Sequence, residues 1–203
     1  MLTGVEYAHS EEKRRFDVMS VHLARPFAKA AQFALSVSSA EPSDFRQTRI
    51  GQNGDEFDVY KLRTLNDDGV TPINSMASFM RRSGLDELTQ YRNIIEGSMS
   101  MVARRPLTPN EYEEAFDDVP LGLVDAYMKI VVPTRPGLVS SFVISSHLGR
   151  IEDHALRQER LEMDIKDVID GSFGNDRRLF RSAVTNALAN KMRKGDIRPI
   201  EAT

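Results

Sequence analysis

The segment "KRRFDVMSVHLARPFAKAAQFALSV", residues 13 to 37, sets the first constraint on this fold. Phe16, Met19, Leu23, Phe27, Ala30, Ala31, Ala34 and Leu35 recur at roughly helical spacing, which predicts a helix. Pro26 falls inside it, removes a backbone donor and crowds the preceding turn, so a break or kink is expected near Arg25. His22, Arg25, Lys29 and Gln32 make the helix amphipathic. Two placements fit: a surface helix packed on the core, or a helix in a membrane interface with Lys13, Arg14 and Arg15 at the headgroups. Phe16, Met19, Leu23, Phe27, Phe33 and Leu35 are expected to share one apolar face. Shallow docking is favoured over deep insertion, because each Lys or Arg at the bilayer centre costs roughly 2.5–3.5 kcal/mol.

A chain of 203 residues fits one domain, or one with an appendage, and can bury a real core. The net charge of −3 does not favour nucleic acid as the main partner. The chain has no cysteine, which excludes disulfides and thiolate metal sites and permits an intracellular location. "MLTGVEYAHSEEKRRF" is too polar for a secretory signal peptide, and its first dozen residues read as a polar lead-in. No apolar run approaches the roughly 18 residues of a spanning helix.

Further along, Asn53-Gly54 predicts a two-residue hairpin turn, since both positions tolerate positive φ. Its strands would carry Arg46, Arg49, Lys61 and Arg63, either as a solvated edge or as a phosphate-binding surface. Helices are expected around 76–82, over 83–96 ending at Gly97, after Pro109, through "VPLGLVDAYMKIVV", and in a long charged stretch with a Leu161, Ile165, Val168 stripe. "RRLFRSAVTNALANKM" supplies the last. The fold class is mainly α with a small antiparallel β-hairpin and a kinked N-terminal amphipathic helix. The expected organisation is a lead-in over 1–12, a membrane-associating helix over 13–40 and a catalytic domain over 41–203.

The chemistry concentrates in "RRSGLDELTQYRNIIEGSMSMVARRP", residues 81 to 106. Ser83 followed by Asp86 fits a capping box, and acids in a first turn suit the helix dipole. Adjacent helical residues point about 100° apart, so Asp86 and Glu87 cannot flank one bond as a glycosidase pair does. An ionised Asp86 can instead attack phosphorus, with Glu87 helping to hold a divalent cation. Arg81, Arg104 and Arg105 would offset diphosphate charge. Elsewhere, His147 and His154 sit seven apart without a third metal ligand, so surface or core histidines are the expectation. There is no Gly-rich phosphate loop, and Ser140, Ser141, Ser145 and Ser146 lack a hydrolase setting.

"FRQTRIGQNGDEF", "YKLRT", "SGLDELTQYRNIIEGSMSMVARRP", "TRPG" and "LEMD" follow one another in an order that resembles the bacterial sugar transferase family. These are the small monotopic polyprenyl-phosphate phosphoglycosyl transferases. The resemblance runs from about Lys13 to Leu188. It implies transfer of a sugar 1-phosphate from a nucleotide diphosphosugar, usually uridine-linked, to undecaprenyl phosphate, starting surface glycan or glycoconjugate assembly. It also implies magnesium, a covalent phosphosugar-enzyme intermediate, Asp86 as nucleophile and Glu87 as dyad partner near the metal. Arg81, Arg105 and Arg135 would contact phosphate. The implied partners are a nucleotide sugar, a polyprenyl phosphate, the cytoplasmic face of the bacterial inner membrane and, as an option, a second copy of the chain.

The chain departs from the family pattern at identifiable places. Ser98 stands for an Asp, "ARRP" for Gly-Pro-Arg-Pro, "LVSS" at 138–141 for Ile-Thr-Gly-Trp, and Asp167 for an aromatic. Residues 16–37 are also less apolar than the family's re-entrant helix. A non-catalytic homologue that binds a nucleotide sugar or a partner enzyme is the alternative these changes raise.

Overall fold

A computed structural model describes residues 2–38, 44–145 and 154–190. Thr3 caps the first helix, α1 (Gly4–Ala8), in a capping box with Glu6. The lead-in is therefore ordered: Tyr7 is buried, and its hydroxyl donates to Asp176. Gly4 fits because it has no side chain. A Cβ there would stand 2.1 Å from the carbonyl oxygens of Val168 and Ile169.

The long helix α2 (Glu11–Ser38) carries Pro26 inside it, so the chain is not interrupted at that residue. The expected single apolar face proves to be two. Phe16, Val21, Ala28, Ala31 and Leu35 face the core, whereas Met19, Leu23, Phe27, Phe33 and Val37 are 62–72% exposed. At 100° per residue the exposed five fall within an arc of about 120°. His22, Arg25 and Lys29 occupy a third, polar exposed side. Far from being an appendage, α2 supplies residues to two of the three apolar clusters.

Strands β1 (Asp44–Ile50) and β2 (Glu56–Leu62) pair antiparallel, as alternation predicted. Their connection spans 51–55 rather than two residues, and contains a single 3-10 turn with Asn53 at φ 59. It closes through Gly51 N–H donating to Asp55 O at 2.7 Å.

Helix α3 (Ser75–Ser83) ends at Gly84, which has positive φ and leads into a 3-10 helix, Leu85–Gln90. The N-cap of that 3-10 helix is Gly84, which has no side chain to cap with; the Ser83 side chain lies outside the described residues, and the expected single helix over 83–96 is two elements. Helix α4 (Tyr91–Glu96) follows and stops at Gly97. Both lie along β2: Thr89 Oγ1 donates to Tyr60 O at 2.9 Å, and Asn93 Nδ2 to Asp58 O at 2.7 Å.

A second sheet was not anticipated. Strand β3 (Ser100–Val102) runs parallel to β4 (Gly137–Val139), joined by α5 (Pro109–Glu114) and α6 (Leu121–Ile130). Gly137 permits this approach, since a Cβ would lie 2.3 Å from Ala103 N. The chain closes with α7 (Ser141–Ile144), α8 (His154–Ile169) and α9 (Phe173–Asn190). Leu161, Ile165 and Val168 pack against α6 as their stripe predicted. His147 and Ser146 lie outside the described residues, and no group of three His, Cys, Asp or Glu is placed to hold a metal among the described residues. No described helix is long and apolar enough to cross a membrane.

A buried polar joint fastens the termini to the centre. Lys13 Nζ donates to Asp176 and to Val102 O, while Asp17 Oδ1 accepts Met101 N–H at 2.8 Å. The Gly4 contact seats α1 beside it. Gly4→Ala should therefore displace α1 from the end of α8 and cost about 1–3 kcal/mol, read as a lower urea midpoint.

Candidate functional site

Asp86 and Glu87 open the 3-10 helix, where successive side chains diverge by about 120° and serve different neighbours. Glu87 is fixed. Arg105 forks onto it, Nη1 to Oε2 at 3.1 Å and Nη2 to Oε1 at 2.9 Å, and Lys61 Nζ lies 3.2 Å from Oε1. Burial opposes its charge, but Arg105 and Lys61 outweigh burial and hold the carboxyl down at about 2. Glu87 is ionised at any working pH.

Asp86 is the opposite case. It is only 8% exposed, and apart from its own backbone N–H no hydrogen bond or ion pair engages its carboxylate among the described residues. Burial first, then the negative charge of Glu87, pushes it up to about 6, against the pull of Lys61 and Arg81. Near neutral pH it is largely ionised, poorly solvated and more basic than an ordinary aspartate. Those are the attributes of a carboxylate nucleophile.

The expected cations divide between the site and elsewhere. Arg49, Lys61 and Arg105 line one small cavity with Glu87, together with Gln90, Pro106, Gly137 and Leu138. Burial lowers the pKa of both Arg49 and Lys61. Arg49 is steadied by Glu111 at 2.9 Å, the residue that also closes the Thr108 capping box of α5. Arg81 approaches Asp86 electrostatically and meets Thr64 Oγ1 at 3.4 Å.

Arg46 does not join them. Opposite residues in an antiparallel pair share a face, and Arg46 stands across from Tyr60 while Lys61 faces Phe45. Its guanidinium lies over the Tyr60 ring at 5.1 Å, on the other side of the hairpin. Arg63, just past β2, pairs with Asp67 in the following loop. Arg135 points to buried Asp17 at 3.9 Å. Arg104 is 1% exposed and donates to Gly51 O at 2.6 Å, so it cannot reach a diphosphate. Sequence reasoning missed what stands behind Arg105. Arg160 of α8 donates to Arg105 O at 3.2 Å and lies over the Phe142 ring at 5.3 Å.

The donor set suits a divalent cation only in one way. Asp86 offers free carboxylate oxygens, whereas both Glu87 oxygens already meet cations. Two carboxylates fit magnesium when phosphate and water complete its shell, which is the usual arrangement for that ion.

A basic carboxylate without an ion-pair partner, a fixed acid beside it and a cationic cavity together form the candidate site. The chain belongs to the bacterial sugar transferase family, whose model matches residues 9–190. It is 28% identical over 180 residues to the UDP-glucose:undecaprenyl-phosphate glucose-1-phosphate transferase of Escherichia coli, covering 83% of this chain and 38% of that protein. It is 29% identical over 194 residues to the transferase of the same name from Caulobacter vibrioides, covering 87% and 69%. A third relative, the exopolysaccharide production protein ExoY of Sinorhizobium fredii, is 29% identical over 164 residues, covering 66% and 68%. The chain thus spans well under half of the first relative and about two thirds of the other two.

The raised value of Asp86 makes a stability prediction. Between its ordinary 3.8 and about 6, the folded state keeps a proton that the unfolded chain has released, so its contribution falls as pH rises through that window. Above pH 6 the cost of burying the charge is fully present. Asp86→Asn should raise unfolding free energy at pH 7.5 by on the order of 2 kcal/mol, and by far less at pH 3.5. Urea titrations at the two pH values measure the difference.

Proposed function

We propose that this chain transfers a sugar 1-phosphate from a uridine diphosphosugar to a polyprenyl phosphate, with undecaprenyl phosphate as the acceptor. The observation that carries the reading is the free Asp86 carboxylate beside a Glu87 whose charge is committed to Arg105 and Lys61. An Asp86 oxygen attacks the phosphorus bearing the sugar. The bond from that phosphorus to the bridging oxygen breaks, and uridine monophosphate leaves with that oxygen. An oxygen of the lipid phosphate then attacks the acyl phosphate. The bond to Asp86 breaks, returning the carboxylate and releasing a lipid diphosphosugar.

Lys61 and Arg105 hold Glu87 in place, and with Arg49 and Arg81 they offset the charge on the phosphates. Magnesium, held by Asp86 and Glu87 when bound, would neutralise further phosphate charge. The exposed stripe of α2 seats the protein at headgroup level on the cytoplasmic face of the bacterial inner membrane, where the acceptor resides. The product would start assembly of a surface glycan, a role in keeping with the exopolysaccharide production relative.

Purified protein given undecaprenyl phosphate, magnesium and a panel of uridine diphosphosugars, with UDP-glucose first, should release uridine monophosphate. Asp86→Asn should release none while keeping the wild-type circular dichroism spectrum, because an amide is not a nucleophile here. Full release by the folded variant would overturn the role of Asp86. Activity should fall as pH drops through about 6, where Asp86 takes up its proton. Excess chelator should stop turnover, and added magnesium should restore it. In flotation assays, Leu23→Ser with Phe27→Ser should abolish binding to anionic vesicles without changing the melting temperature, since both side chains are exposed.

A further inference from the structure

Gln90 is the one polar group at the Glu87 cavity that neither the dyad chemistry nor the phosphate-binding cations account for. It lies one 3-10 turn after Glu87, and so on the same face of that helix. It is 3% exposed, yet its side chain makes no hydrogen bond among the described residues. Its amide atoms are not fully buried, so a water-sized group can reach them. It is not sealed away, because it forms part of the cavity wall with Arg49, Lys61, Glu87 and Arg105.

The cavity restricts what can meet that amide. Its volume is about 10 Å³, room for a single water-sized group and not for a sugar ring or a whole phosphate. Three cations outnumber the two acids paired to them, Glu87 and Glu111, so an anionic oxygen is preferred over a hydroxyl. The cations are already engaged: Arg49 by Glu111 and Gln47, Lys61 and Arg105 by Glu87. Gln90 adds neutral donors to the N–H groups that the paired cations leave over.

We propose that Gln90 is a substrate-binding residue whose carboxamide N–H donates to one phosphate oxygen lodged in this cavity. The inference rests on the transferase reading above and adds a residue to its binding surface. Two phosphates are available in that reaction, the diphosphate of the nucleotide sugar and the monophosphate of the acceptor lipid. The chemistry is the same for both. A neutral donor serves this place better than another cation, because it adds no repulsion to Lys61, Arg49 or Arg105. It also leaves the Glu87 pairs undisturbed.

The test measures uridine diphosphate and farnesyl monophosphate binding by calorimetry to the full chain, to Gln90→Met and to Gln90→Glu. Met keeps the length and loses the donors, whereas Glu keeps the shape and adds an anion. Gln90→Met should weaken one of the two ligands by about 5–10-fold, and Gln90→Glu by about 30-fold or more. The ligand that suffers identifies which phosphate the cavity takes. A purely structural Gln90 would lower the melting temperature and leave both dissociation constants of the folded protein unchanged. Wild-type affinity for both ligands in both variants overturns the proposal while the transferase reading stands. A wild-type protein that binds neither phosphate overturns both. If Gln90→Met fails to fold, the isosteric Gln90→Glu decides alone.

Discussion

Glu87 is where separate parts of the chain are tied to one another. Through Lys61 it is joined to β2, and through Arg105 to the segment that follows β3, which in turn reaches α8 by way of Arg160. A forked guanidinium–carboxylate pair fixes angle as well as distance. Its partial burial means that removing either partner leaves an uncompensated charge. The same fixed negative charge acts on the adjacent residue, helping to raise Asp86 to about 6. Two neighbouring acids thus receive opposite environments. One is spent on geometry at about 2, and the other is left basic and unpaired.

The departures from the family pattern mostly avoid this centre. Ser98, standing for an acid, exchanges hydrogen bonds with Asn93 at the end of α4, accepting from Nδ2 at 3.3 Å and donating to its carbonyl at 3.2 Å. In "ARRP", Arg104 turns inward to Gly51 O while Arg105 still reaches Glu87. Ser141 and Asp167, two departures 26 residues apart, prove to be one contact. Ser141 N–H donates to Asp167 Oδ2 at 2.8 Å and its Oγ to Oδ1 at 2.5 Å. Where the family places two aromatics, this chain substitutes a hydrogen-bonded pair linking α7 to α8. These substitutions leave the contacts of Glu87 with Arg105 and Lys61 in place.

Much of the architecture was legible because periodicity reports burial. The helices after Gly97, the Leu161–Val168 stripe and the antiparallel hairpin all follow from it. The misplacement of Arg46 has a definite cause. A two-residue turn at Asn53-Gly54 would pair Gln52 with Asp55 and hence Arg46 with Lys61, on one face. The actual register pairs Ile50 with Glu56, which shifts the partner by one and sends Arg46 to the opposite side. The β3–β4 pair was hidden for another reason: three-residue strands carry almost no pattern, and parallel partners lie far apart in sequence. The division of Glu87 from Asp86 was likewise invisible, because it depends on Lys61 and Arg105, brought in from 26 and 18 positions away.

Helix α2 connects the proposed membrane surface to the chemistry. Its inner residues Ala31 and Leu35 share a cluster with Leu85, and Val21 and Ala28 share one with Leu88 and Tyr91, so it packs directly on the dyad-bearing 3-10 helix. The exposed stripe lies on another side of the same helix, so the two surfaces are separated by little more than one helix diameter, about 10 Å. Seating the stripe at the headgroups would bring a lipid phosphate to roughly the level of Asp86. Deeper burial would carry His22, Arg25 and Lys29 into hydrocarbon and draw the cationic site after them. On the proposed seating, the polar side of α2 would limit depth and so keep the candidate site in water while a lipid phosphate stays in the bilayer.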